Sequence, residues 1–583
     1  MKGQLQSAIE ASLATLRARG VVPAQGAISF QISRTRDKSH GDYACNVAMI
    51  LAKVAKRPPR ELAEAIVAQL PANDDVSKVE IAGPGFINFH LRESSLAVVN
   101  RILDAGEDFG FSDIGAGRKV QVEFVSTNPT GPLHVGHGRG AAYGATVANL
   151  LQAVGYDVQR EYYINDAGRQ IDILATSVWL RYLAIEGEEI EFPVNGYRGD
   201  YIGGIAAGLR REHGGAFRHT AVKVLAGVPP DEPAGDKETH IDGLIANAKT
   251  LLANGYETVL RTALDAMVAD IREDLEEFGV AFDEWFSERS LMTSGAVDAS
   301  TAQLSYNGYI TEKDGAKWFR STELGDDKDR VITRSNGQAT YFASDIAYHK
   351  NKFDRGFERV IDVWGADHHG HVKRVSIALQ ALGYDPAKFE VLLVQMISLY
   401  RGDVKVPMST RAGEFVTLRE LREETGNDAA RFFYVMRKRE QPFDFDIELA
   451  KSQSADNPVY YIQYAHARVC SVVGELESRG LTLDLDNGKQ NSALLTEDHE
   501  QALARRLSLY PDVVAAAAKM REPHQLTHYL RELANEFHTY YNAHQFLVDD
   551  TNLRDARLSL IVATQQVIRN GLALLGVSAP EHM

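Results

Sequence analysis

Two histidines separated by two residues, His134 and His137, lie in the segment PLHVGHG and could hold a phosphate. The run KVQVEFV at 119–125 alternates apolar and polar residues as a strand does, and a helix is predicted from His137 to about Val154. A helix N-terminus presents unpaired N–H groups and a positive dipole, which together suit an anion. The segment therefore predicts a phosphate site at a strand–turn–helix junction.

The other residues of this segment fit the same chemistry. Gly136 and Gly138 lack a Cβ atom and let the backbone approach a ligand closely. The two imidazoles can then donate hydrogen bonds to phosphate oxygens as charge develops during a displacement. The competing interpretation is two solvated histidines at a helix start, because short motifs of this kind also occur by chance.

A second polar cluster, GADHHGH at 365–371, follows the apolar run VIDVW. Ligands of doubly wound sheets bind outside the carboxyl ends of the strands, so this position suits a binding site. Aspartate and clustered histidines are also good metal ligands, which makes a metal site the alternative. Neither an HExxH sequence nor a pair of neighbouring cysteines accompanies the cluster. We therefore expect no resident metal, and no zinc.

A third cluster, NPVYYIQYAHAR at 457–468, places tyrosines, an amide and a cation on one predicted helix. Such a mixture can stack unpaired bases and hydrogen-bond their edges. Aromatic residues on a helix more often belong to a core, and some of these tyrosines are expected to do so. Four basic residues upstream could contact phosphates: Arg431, Arg437, Lys438 and Arg439.

The elements that must position these clusters form three patterns. Strand-like runs alternate with helical segments, which predicts an α/β fold with a doubly wound parallel sheet; the runs are 119–125, 158–163, 359–364 and 391–396. The strand and turn patterns of residues 1–112 predict a small α/β domain. After about Leu449 only helical spacing remains, which predicts an all-α bundle.

These patterns give four predicted regions. The catalytic domain spans 118–400 and contains a helical and polar insertion at about 185–300. A connecting region covers 401–448, between the small N-terminal domain and the bundle at 449–583. A chain of 583 residues is long enough for three or more domains.

Composition narrows the class of protein. Hydrophobic residues make up 44% and charged residues 24%, as in ordinary globular proteins, and apolar runs such as 513–518 are far shorter than the ~20 residues that span a bilayer. The N-terminus is predicted to be a helix and not a signal peptide. Cys45 and Cys470 are too few for a disulfide framework, which favours a cytoplasmic protein. The net charge of −16 disfavours nucleic-acid binding but describes the whole surface, not one face.

Taken together, these motifs resemble the arginyl-tRNA synthetases of class I. PLHVGH is similar to the HIGH sequence of class I aminoacyl-tRNA synthetases, and VSTNPTGPLHVGH resembles the arginyl branch in particular. GADHHG and the terminal GVSAPEHM are also similar to that family. The resemblance implies a Rossmann-type catalytic sheet, an N-terminal domain that contacts the tRNA elbow, and an anticodon-binding helical bundle.

The resemblance also implies the reaction and its partners. Arginine would be activated with ATP and Mg²⁺ to arginyl-adenylate, and then transferred to the 2′-hydroxyl of the terminal ribose of tRNA(Arg). AMP and pyrophosphate would be released, and tRNA would have to bind before activation. We expect a monomer that needs no membrane.

Class I enzymes carry a second motif, KMSKS, for which VKVPMSTRAG at 404–413 is the candidate. Met408 and Ser409 fit this motif, whereas Pro407 and Thr410 stand where the family has its two lysines. A lysine there would stabilise the leaving pyrophosphate. The cations available nearby are Lys405 and Arg411, so the catalytic set implied is His134, His137, Lys405 and Arg411.

The resemblance assigns the ligands as well. ATP would contact Pro132, His134, Gly136, His137, Gly138, Gly365, His368, Val406, Met408 and Ser409. A guanidinium is planar and permanently charged, so its pocket needs carboxylates and carbonyls. Arginine would contact Glu123, Ser126, Asn128, His137, Tyr341, Asp345 and Asp367, the last at a position where relatives have a glutamine. The tRNA would contact Tyr461, Gln463, Tyr464, His466, Arg468 and Met583.

Three other functions remain open at this point. The first is a cofactor-making adenylyltransferase with the same HxGH sequence but without a helical bundle. The second is a metallohydrolase built on His134, His137 and the cluster 368–371. The third is a catalytically silent RNA-binding relative, because of the altered second motif.

Overall fold

The computed structural model describes residues 2–23, 28–35, 40–73, 76–91, 96–406 and 416–583. The chain divides into two compact units. The first consists of Met1–Gly106, Glu475–Asp512 and Thr539–Thr564, and the second of Glu107–Gly474, Val513–His538 and Gln565–Met583. The C-terminal helices are thus shared between the units, and the predicted helical region 449–583 stays a prediction. Helical spacing shows which face of a helix is apolar but not what that face packs against.

The N-terminal residues form a small α/β structure, as predicted. Its elements are α1 (Lys2–Ala18), β1 (Ile32–Arg34), β2 (Tyr43–Cys45), α2 (Val47–Ala55), α3 (Pro59–Val67), β3 (Val76–Ala82), β4 (Phe86–Leu91) and α4 (Ala97–Ala105). The strands form an antiparallel sheet in the order β1-β2-β4-β3. Ile87 and Phe89 alternate onto the buried face of β4 and share a core with Leu5, Ile9 and Leu13, which recur at helical spacing along α1.

The following elements carry the motifs of the sequence. In chain order they are β5 (Lys119–Glu123), α5 (Val135–Ala153), β6 (Asp157–Ile164), α6 (Arg169–Ile185), α7 (Asp200–His213), α8 (Ala221–Val224), α9 (Lys237–Leu252), α10 (Asn254–Glu277), β7 (Glu284–Ser287), α11 (Glu288–Thr293), α12 (Ala296–Tyr306), β8 (Ile310–Lys313), β9 (Ala316–Phe319), β10 (Arg330–Thr333), α13 (Tyr341–Asp354), β11 (Arg359–Gly365), α14 (His369–Leu382), β12 (Phe389–Val394), β13 (Ile397–Arg401), β14 (Val404–Lys405), α15 (Leu418–Thr425), α16 (Asn427–Val435), β15 (Phe443–Asp446) and α17 (Ile447–Lys451).

The central sheet is parallel, with strand order β12-β11-β5-β6-β7. The predicted doubly wound fold is thereby confirmed. Strand order reverses between β5 and β11, and ligands of such sheets bind in the crevice outside the carboxyl ends of these strands. The two histidine-rich motifs follow β5 and β11 directly, so the topology brings them to that crevice.

The helix after β5 begins two residues earlier than predicted, because His134 is its N-cap residue. Most of α5 is buried, and small residues let it lie close to the sheet. A Cβ atom on Gly144 would lie 2.3 Å from Cγ of Phe124, so a larger residue would push the helix away from β5. The glycine is therefore part of what holds the motif at the end of the strand.

Within the predicted insertion at about 185–300, residues 200–277 form the helices α7 to α10. Helices α6, α7, α9 and α10 enclose a common apolar core. Trp179 is buried in that core, and its indole N–H donates to the carbonyl of Phe217 at 2.9 Å. The insertion ends before β7, a four-residue strand that joins the parallel sheet and was not predicted because it is too short to show a periodic pattern. A separate antiparallel sheet, β10-β9-β8, follows it.

The C-terminal helices are α18 (Pro458–Ser478), α19 (Leu485–Gln490), α20 (Asp498–Leu507), α21 (Tyr510–Met520), α22 (His524–Ala543) and α23 (Thr551–Leu575). No strand occurs beyond β15 in the part of the chain that the structure describes, so the predicted all-α character is confirmed. Among the described helices, α23 alone is long and apolar enough to cross a membrane, and 72% of its most apolar stretch is buried inside the protein. We interpret α23 as a core helix.

Candidate active site

The two histidines stack at the N-terminus of α5, with ring centroids 3.5 Å apart. Nδ1 of His134 accepts hydrogen bonds from the N–H groups of Gly136 at 3.0 Å and His137 at 3.3 Å, and Nδ1 of His137 accepts from the N–H of His134 at 3.2 Å. A ring nitrogen that accepts carries no proton, so each neutral ring carries its proton on Nε2. In this capping arrangement both rings therefore carry their donor group, N–H, on Nε2.

The glycines of the motif have different roles. A Cβ atom on Gly136 would lie 2.9 Å from Cε1 of His134, so glycine is needed for that ring to fold back over the helix end. Gly138 is buried, and a Cβ atom there would lie 2.7 Å from Cδ1 of Leu418 and 2.9 Å from the Tyr434 hydroxyl. Gly138 thus serves the contact between helices, which corrects its predicted place among the ATP-binding residues. Pro132 is half-buried beside the motif.

Burial keeps both histidines neutral. Burial lowers the pKa of His137 to about 3, with a further contribution from the neighbouring His134. Burial also lowers the pKa of His134. At neutral pH the pair therefore offers hydrogen bonds to a phosphate without carrying positive charge.

The lowered pKa of His137 predicts a loss of stability in acid. An unfolded histidine takes up a proton below about 6.5, whereas folded His137 does so only near 3. Because the folded state binds fewer protons over this range, the contribution of His137 to the free energy of unfolding is present above pH 6.5 and decreases as the pH falls toward about 3. Denaturant titrations at pH 7, 6 and 5 should show a weaker pH dependence in His137→Asn than in the wild type. Equal pH dependence would show that His137 is protonated in the folded protein.

The residues after the second motif lie against the histidine pair. Val135 N–H donates to the carbonyl of Val416 at 3.2 Å, and Leu418 N–H donates to the carbonyl of Leu133 at 2.8 Å. His134 and Thr417 form an isolated antiparallel bridge. Residues 416–418, which follow the second motif in the chain, are thus held beside the predicted phosphate site.

The second motif itself lies mostly outside the described residues, and with it the predicted roles of Met408, Ser409 and Arg411. Lys405 is exposed on β14, opposite Tyr400 of β13. Val406 is half-buried, and its N–H donates to the carbonyl of Leu399 at 2.9 Å. Lys405 is therefore accessible to solvent on the strand that leads into the motif.

The loop after β5 is strained where the chain turns into the site. Val125 and Ser126 have φ angles of 70° and 43°, a left-handed conformation that is unusual for a β-branched residue. The Ser126 hydroxyl accepts from the N–H of Tyr163 at 3.1 Å, and the Tyr162 hydroxyl accepts from the N–H of Thr127 at 3.1 Å. These contacts with β6 hold the strained turn. Asn128, two residues further on, is exposed.

Burial, followed by the charges of four carboxylates, raises the pKa of the Tyr163 hydroxyl; the carboxylates belong to Glu288, Asp345, Glu123 and Asp166. Two of them, Glu123 and Asp345, are predicted arginine ligands. We call these surroundings of Tyr163 the acidic pocket, whose charges a guanidinium would balance.

Glu288 is a pocket residue that the sequence interpretation did not single out. It is 2% exposed, and burial, followed by the charges of Asp345 and Asp166, raises its pKa to about 7. Asn165, in the orientation that satisfies both of its amide atoms, donates to Oε2 of Glu288 at 2.7 Å. Asp166 accepts from the N–H of Arg289 at 2.8 Å, so the segment after β6 is joined to the start of α11. No spacing in the sequence indicates Glu288, because it follows the unpredicted β7.

The remaining predicted arginine ligands lie on α13 and before α14. Tyr341 is 58% exposed at the start of α13, and Asp345 follows one turn later. Nε2 of His371 lies 2.9 Å from Oδ2 of Asp345. Asp345 and His371 line a cavity of about 470 Å³, together with Asp367, His368, His369, Gly370 and Arg374. The structure thus brings Asp345, Asp367 and His368 together, and Gly365 ends the adjoining strand.

A row of acidic side chains crosses the sheet beneath α13. The parallel register aligns Asp362 of β11 with Glu123, Glu123 with Glu161 of β6, and Glu161 with Glu284 of β7. Aligned residues of neighbouring strands point to the same face, and the first three are 6% exposed or less. Such a row is unstable unless cations balance it.

Helix α13 supplies these cations. Lys352 is fully buried, and its ammonium lies 2.5 Å from Oε2 of Glu123 and 2.8 Å from Oδ1 of Asp362. Arg355 donates to both oxygens of Glu161, at 2.6 and 3.0 Å. The helix that carries Tyr341 and Asp345 is thereby docked on the sheet by ion pairs. Glu123 is accordingly held by an internal lysine, which the sequence did not indicate.

The predicted tRNA-contacting helix is only partly accessible. Gln463 is 7% exposed and donates to Asp428 and to the carbonyl of Ser578, at 2.8 and 3.0 Å. His466 is fully buried, with Nδ1 2.9 Å from the carbonyl of Pro580. Both side chains therefore anchor the C-terminal segment, which corrects their predicted contact with tRNA.

The other members of that set are at least half-accessible. Tyr461, Tyr464 and Arg468 are half-buried, and the Arg468 guanidinium lies 4.5 Å from the Tyr464 ring centroid. Met583 is 49% exposed. Arg431 is one of the four basic residues predicted to contact phosphates. It is 1% exposed and donates to the carbonyls of Phe278, Gly279 and Leu575, so it is not available to phosphates.

The described residues contain no group of three or more His, Cys, Asp or Glu side chains arranged to hold a metal ion. His134 and His137 use their Nδ1 atoms for helix capping, and His371 faces Asp345. The histidines that suggested a metallohydrolase thus have other contacts.

Comparison with known proteins identifies three consecutive family regions. Residues 3–91 match the arginyl-tRNA synthetase N-terminal domain, residues 99–198 and 235–450 match the class I (R) tRNA synthetase catalytic domain, and residues 462–583 match the DALR anticodon-binding domain. The gap within the catalytic-domain match, 199–234, lies within the helical insertion.

Individual relatives agree with these matches. The chain is 62% identical to the arginine–tRNA ligase of Thioalkalivibrio sulfidiphilus and 54% identical to that of Legionella pneumophila strain Paris, over 100% of each chain. A putative arginyl-tRNA synthetase structure from Campylobacter jejuni superposes with a TM-score of 0.73 at 31% identity, over 84% of this chain and 99% of that one. The Thermus thermophilus arginyl-tRNA synthetase shares the fold, with a TM-score of 0.74 at 24% identity over 99% and 100% of the two chains.

The order of the three regions, the full-length identity and the histidine pair at the strand crossover agree with one another, and the chain belongs to the arginyl-tRNA synthetase family of class I aminoacyl-tRNA synthetases.

Proposed function

We propose that the protein activates L-arginine with ATP and transfers it to the 3′-terminal ribose of tRNA(Arg), releasing pyrophosphate and AMP. The observation that carries this proposal is that the stacked histidine pair, with its protons on Nε2, and the acidic pocket around Tyr163 both lie on segments of the parallel sheet and the loops after its strands. The donors match phosphate oxygens, and the carboxylates match a guanidinium. One crevice thus offers complementary chemistry to both small substrates.

In the first step, the carboxylate of arginine attacks the α-phosphorus of ATP in line, and the bond to the leaving pyrophosphate breaks. His134 and His137 donate to the phosphate oxygens on which charge builds up. Mg²⁺ enters with ATP as part of the substrate and neutralises its phosphates. Catalysis then consists mainly of positioning and electrostatic stabilisation, without a covalent enzyme intermediate.

Arginine binding is assigned to both sides of the crevice. Glu123 and Asp345 neutralise the guanidinium, and Tyr341 covers it at the start of α13. Ser126, Asn128, His137 and Asp367 would orient the α-amino and carboxylate groups toward ATP. Lys405 and Arg411 are assigned to the pyrophosphate, in place of the lysines that the second motif lacks.

In the second step, the 2′-hydroxyl of the terminal adenosine attacks the carbonyl of arginyl-adenylate and AMP leaves. The C-terminal helices would read the anticodon through Tyr461, Tyr464, Arg468 and Met583, because stacked aromatic rings and a cation suit unpaired bases. The N-terminal domain would contact the tRNA elbow. We further propose a cytoplasmic monomer without zinc, which fits the two free cysteines, Cys45 and Cys470.

ATP–pyrophosphate exchange with each of the twenty amino acids, with and without total tRNA, tests this function. We expect exchange with arginine in the presence of tRNA and at least about a hundredfold less with citrulline, whose side chain is isosteric but neutral, since unpaired buried polar groups penalise the wrong ligand. Exchange with a neutral amino acid, or binding of tRNA without any exchange, would contradict the proposal. The second outcome would instead favour the catalytically silent relative.

A further inference from the structure

Lys352 lies behind the acidic pocket, where no substrate group is assigned to it. It is fully buried in the last turn of α13, two turns after Asp345. Its ammonium contacts Glu123 at 2.5 Å and Asp362 at 2.8 Å, and it also lies 4.3 Å from the ring centroid of Tyr348. Burying a lysine ammonium costs folding free energy unless carboxylates pair with it, as Glu123 and Asp362 do here.

We propose that Lys352 is a positioning residue for arginine recognition, whose ammonium holds Glu123 as an ionised carboxylate in the orientation that a guanidinium requires. This inference rests on the proposed function, in which Glu123 binds arginine. It adds a residue that acts through Glu123 without contacting the substrate.

The first support is the balance of charge around Glu123. Within the described residues, the charged and titratable groups that face it are Asp362 from β11, Glu161 and Tyr163 from β6, and Tyr348, His349 and Lys352 from α13. Arg355 is engaged by Glu161. Of these groups, Lys352 is the cation in contact with Glu123.

His349 serves the neighbouring acid. Its Nε2 lies 2.8 Å from Oδ2 of Asp362 and its Nδ1 lies 2.7 Å from the carbonyl of Asp345. Both nitrogens therefore lie within hydrogen-bond distance of other oxygens and not of Glu123. Loss of Lys352 removes the ammonium that contacts both Glu123 and Asp362.

The second support is the effect of burial on the pKa of Glu123. Burial raises the pKa of Glu123, and Lys352 is the strongest influence that lowers it. Without the ammonium, the pKa of Glu123 would be higher still, so the side chain would take up a proton more readily and present a neutral acid to the guanidinium. The proton would be lost again as the pH rises, so arginine binding would recover in alkaline solution.

The experiment measures the KM for arginine in aminoacylation between pH 6.5 and 9. In Lys352→Met we expect a KM about tenfold or more above the wild-type value at pH 7, as for the loss of one charge-assisted contact. This factor should shrink as the pH rises, while kcat changes less. Lys352→Arg should restore a wild-type pH profile. The matched control is Lys350→Met on the same helix, which removes an ion pair with Asp354 at the surface and should leave the KM unchanged.

A second variant without the lysine tests whether misfolding, and not the loss of the contact with Glu123, explains the result. Lys352→Met combined with Asp362→Asn removes one charge of each sign but still leaves Glu123 without its lysine. It should show the same alkaline recovery. If both neutral variants fail to fold while Lys352→Arg folds, the role of Lys352 is purely structural and the inference is overturned.

Glu123→Gln separates this inference from the proposed function. It should raise the KM for arginine at every pH, because an amide cannot ionise. A wild-type KM in Glu123→Gln would contradict the proposed arginine site itself. Glu123→Gln could raise the KM while Lys352→Met has no effect, or an effect that does not depend on pH. That result would overturn the role of Lys352 and leave the proposed arginine site in place.

Discussion

Replacing His137 by alanine is expected to lower the rate of ATP–pyrophosphate exchange by roughly 10²–10³, which corresponds to a loss of about 2–4 kcal/mol of transition-state stabilisation. The reason is that its Nε2–H group donates to a phosphate oxygen more strongly as charge develops there. The effect should fall on kcat more than on the KM for ATP, because the contact matters most in the transition state. A rate near that of the wild type would contradict the phosphate role.

His134 offers a control that separates catalysis from folding. Its Nδ1 caps the helix by accepting from Gly136 and His137. His134→Ala loses both the cap and the Nε2–H donor, and removal of a cap costs about 0.5–2 kcal/mol of stability. Asparagine is a good N-cap residue, so His134→Asn should retain most of the stability and still lose activity. If His134→Asn retained both the stability and the activity of the wild type, His134 would be a capping residue only.

The KM for arginine is expected to rise about 10- to 100-fold in Asp345→Asn, since hydrogen bonds to charged groups contribute about 1.5–3 kcal/mol. The carboxylate lies in the acidic pocket and next to His371, and the substitution removes its charge with little change in size. Because the guanidinium is far from the reacting carboxylate of arginine, the contact is present in both ground and transition states. We therefore expect kcat to change less than the KM.

Asp354→Asn is the matched control for this prediction. It lies on the same helix, where its carboxylate contacts Lys350 at the protein surface. Exposed ion pairs contribute about 0–1 kcal/mol, so this variant should keep a wild-type KM for arginine. Similar rises in both variants would indicate that α13 had shifted, and an unchanged KM in Asp345→Asn would remove Asp345 from the arginine site.

The chemistry of the site was accessible from the sequence because it depends on local spacing. The histidines at positions i and i+3, the glycine between them and the flanking strand and helix are all determined by short-range geometry. The parallel sheet was likewise predictable from its alternating strands. The four-residue β7 escaped detection because so short a segment shows no period, and with it Glu288 escaped as well.

Long-range contacts decided which of the predicted site residues can reach a ligand. From its type alone, Gln463 is a good base reader, but the fold places it against Asp428 and the C-terminal segment. Gly138 appeared to serve a ligand, and the packing of Leu418 and Tyr434 shows that it serves two helices.

The sequence by itself therefore indicated the family, the doubly wound sheet and the predicted phosphate site, since each depends on the types and spacing of neighbouring residues. Only the tertiary structure decided the charge environment of the arginine pocket. Asp362, Glu123 and Glu161 are separated by up to 239 positions of sequence but share one face of neighbouring strands, and Lys352 balances them from a helix above. Burial and strand register create that interaction, and neither is visible until the chain has folded.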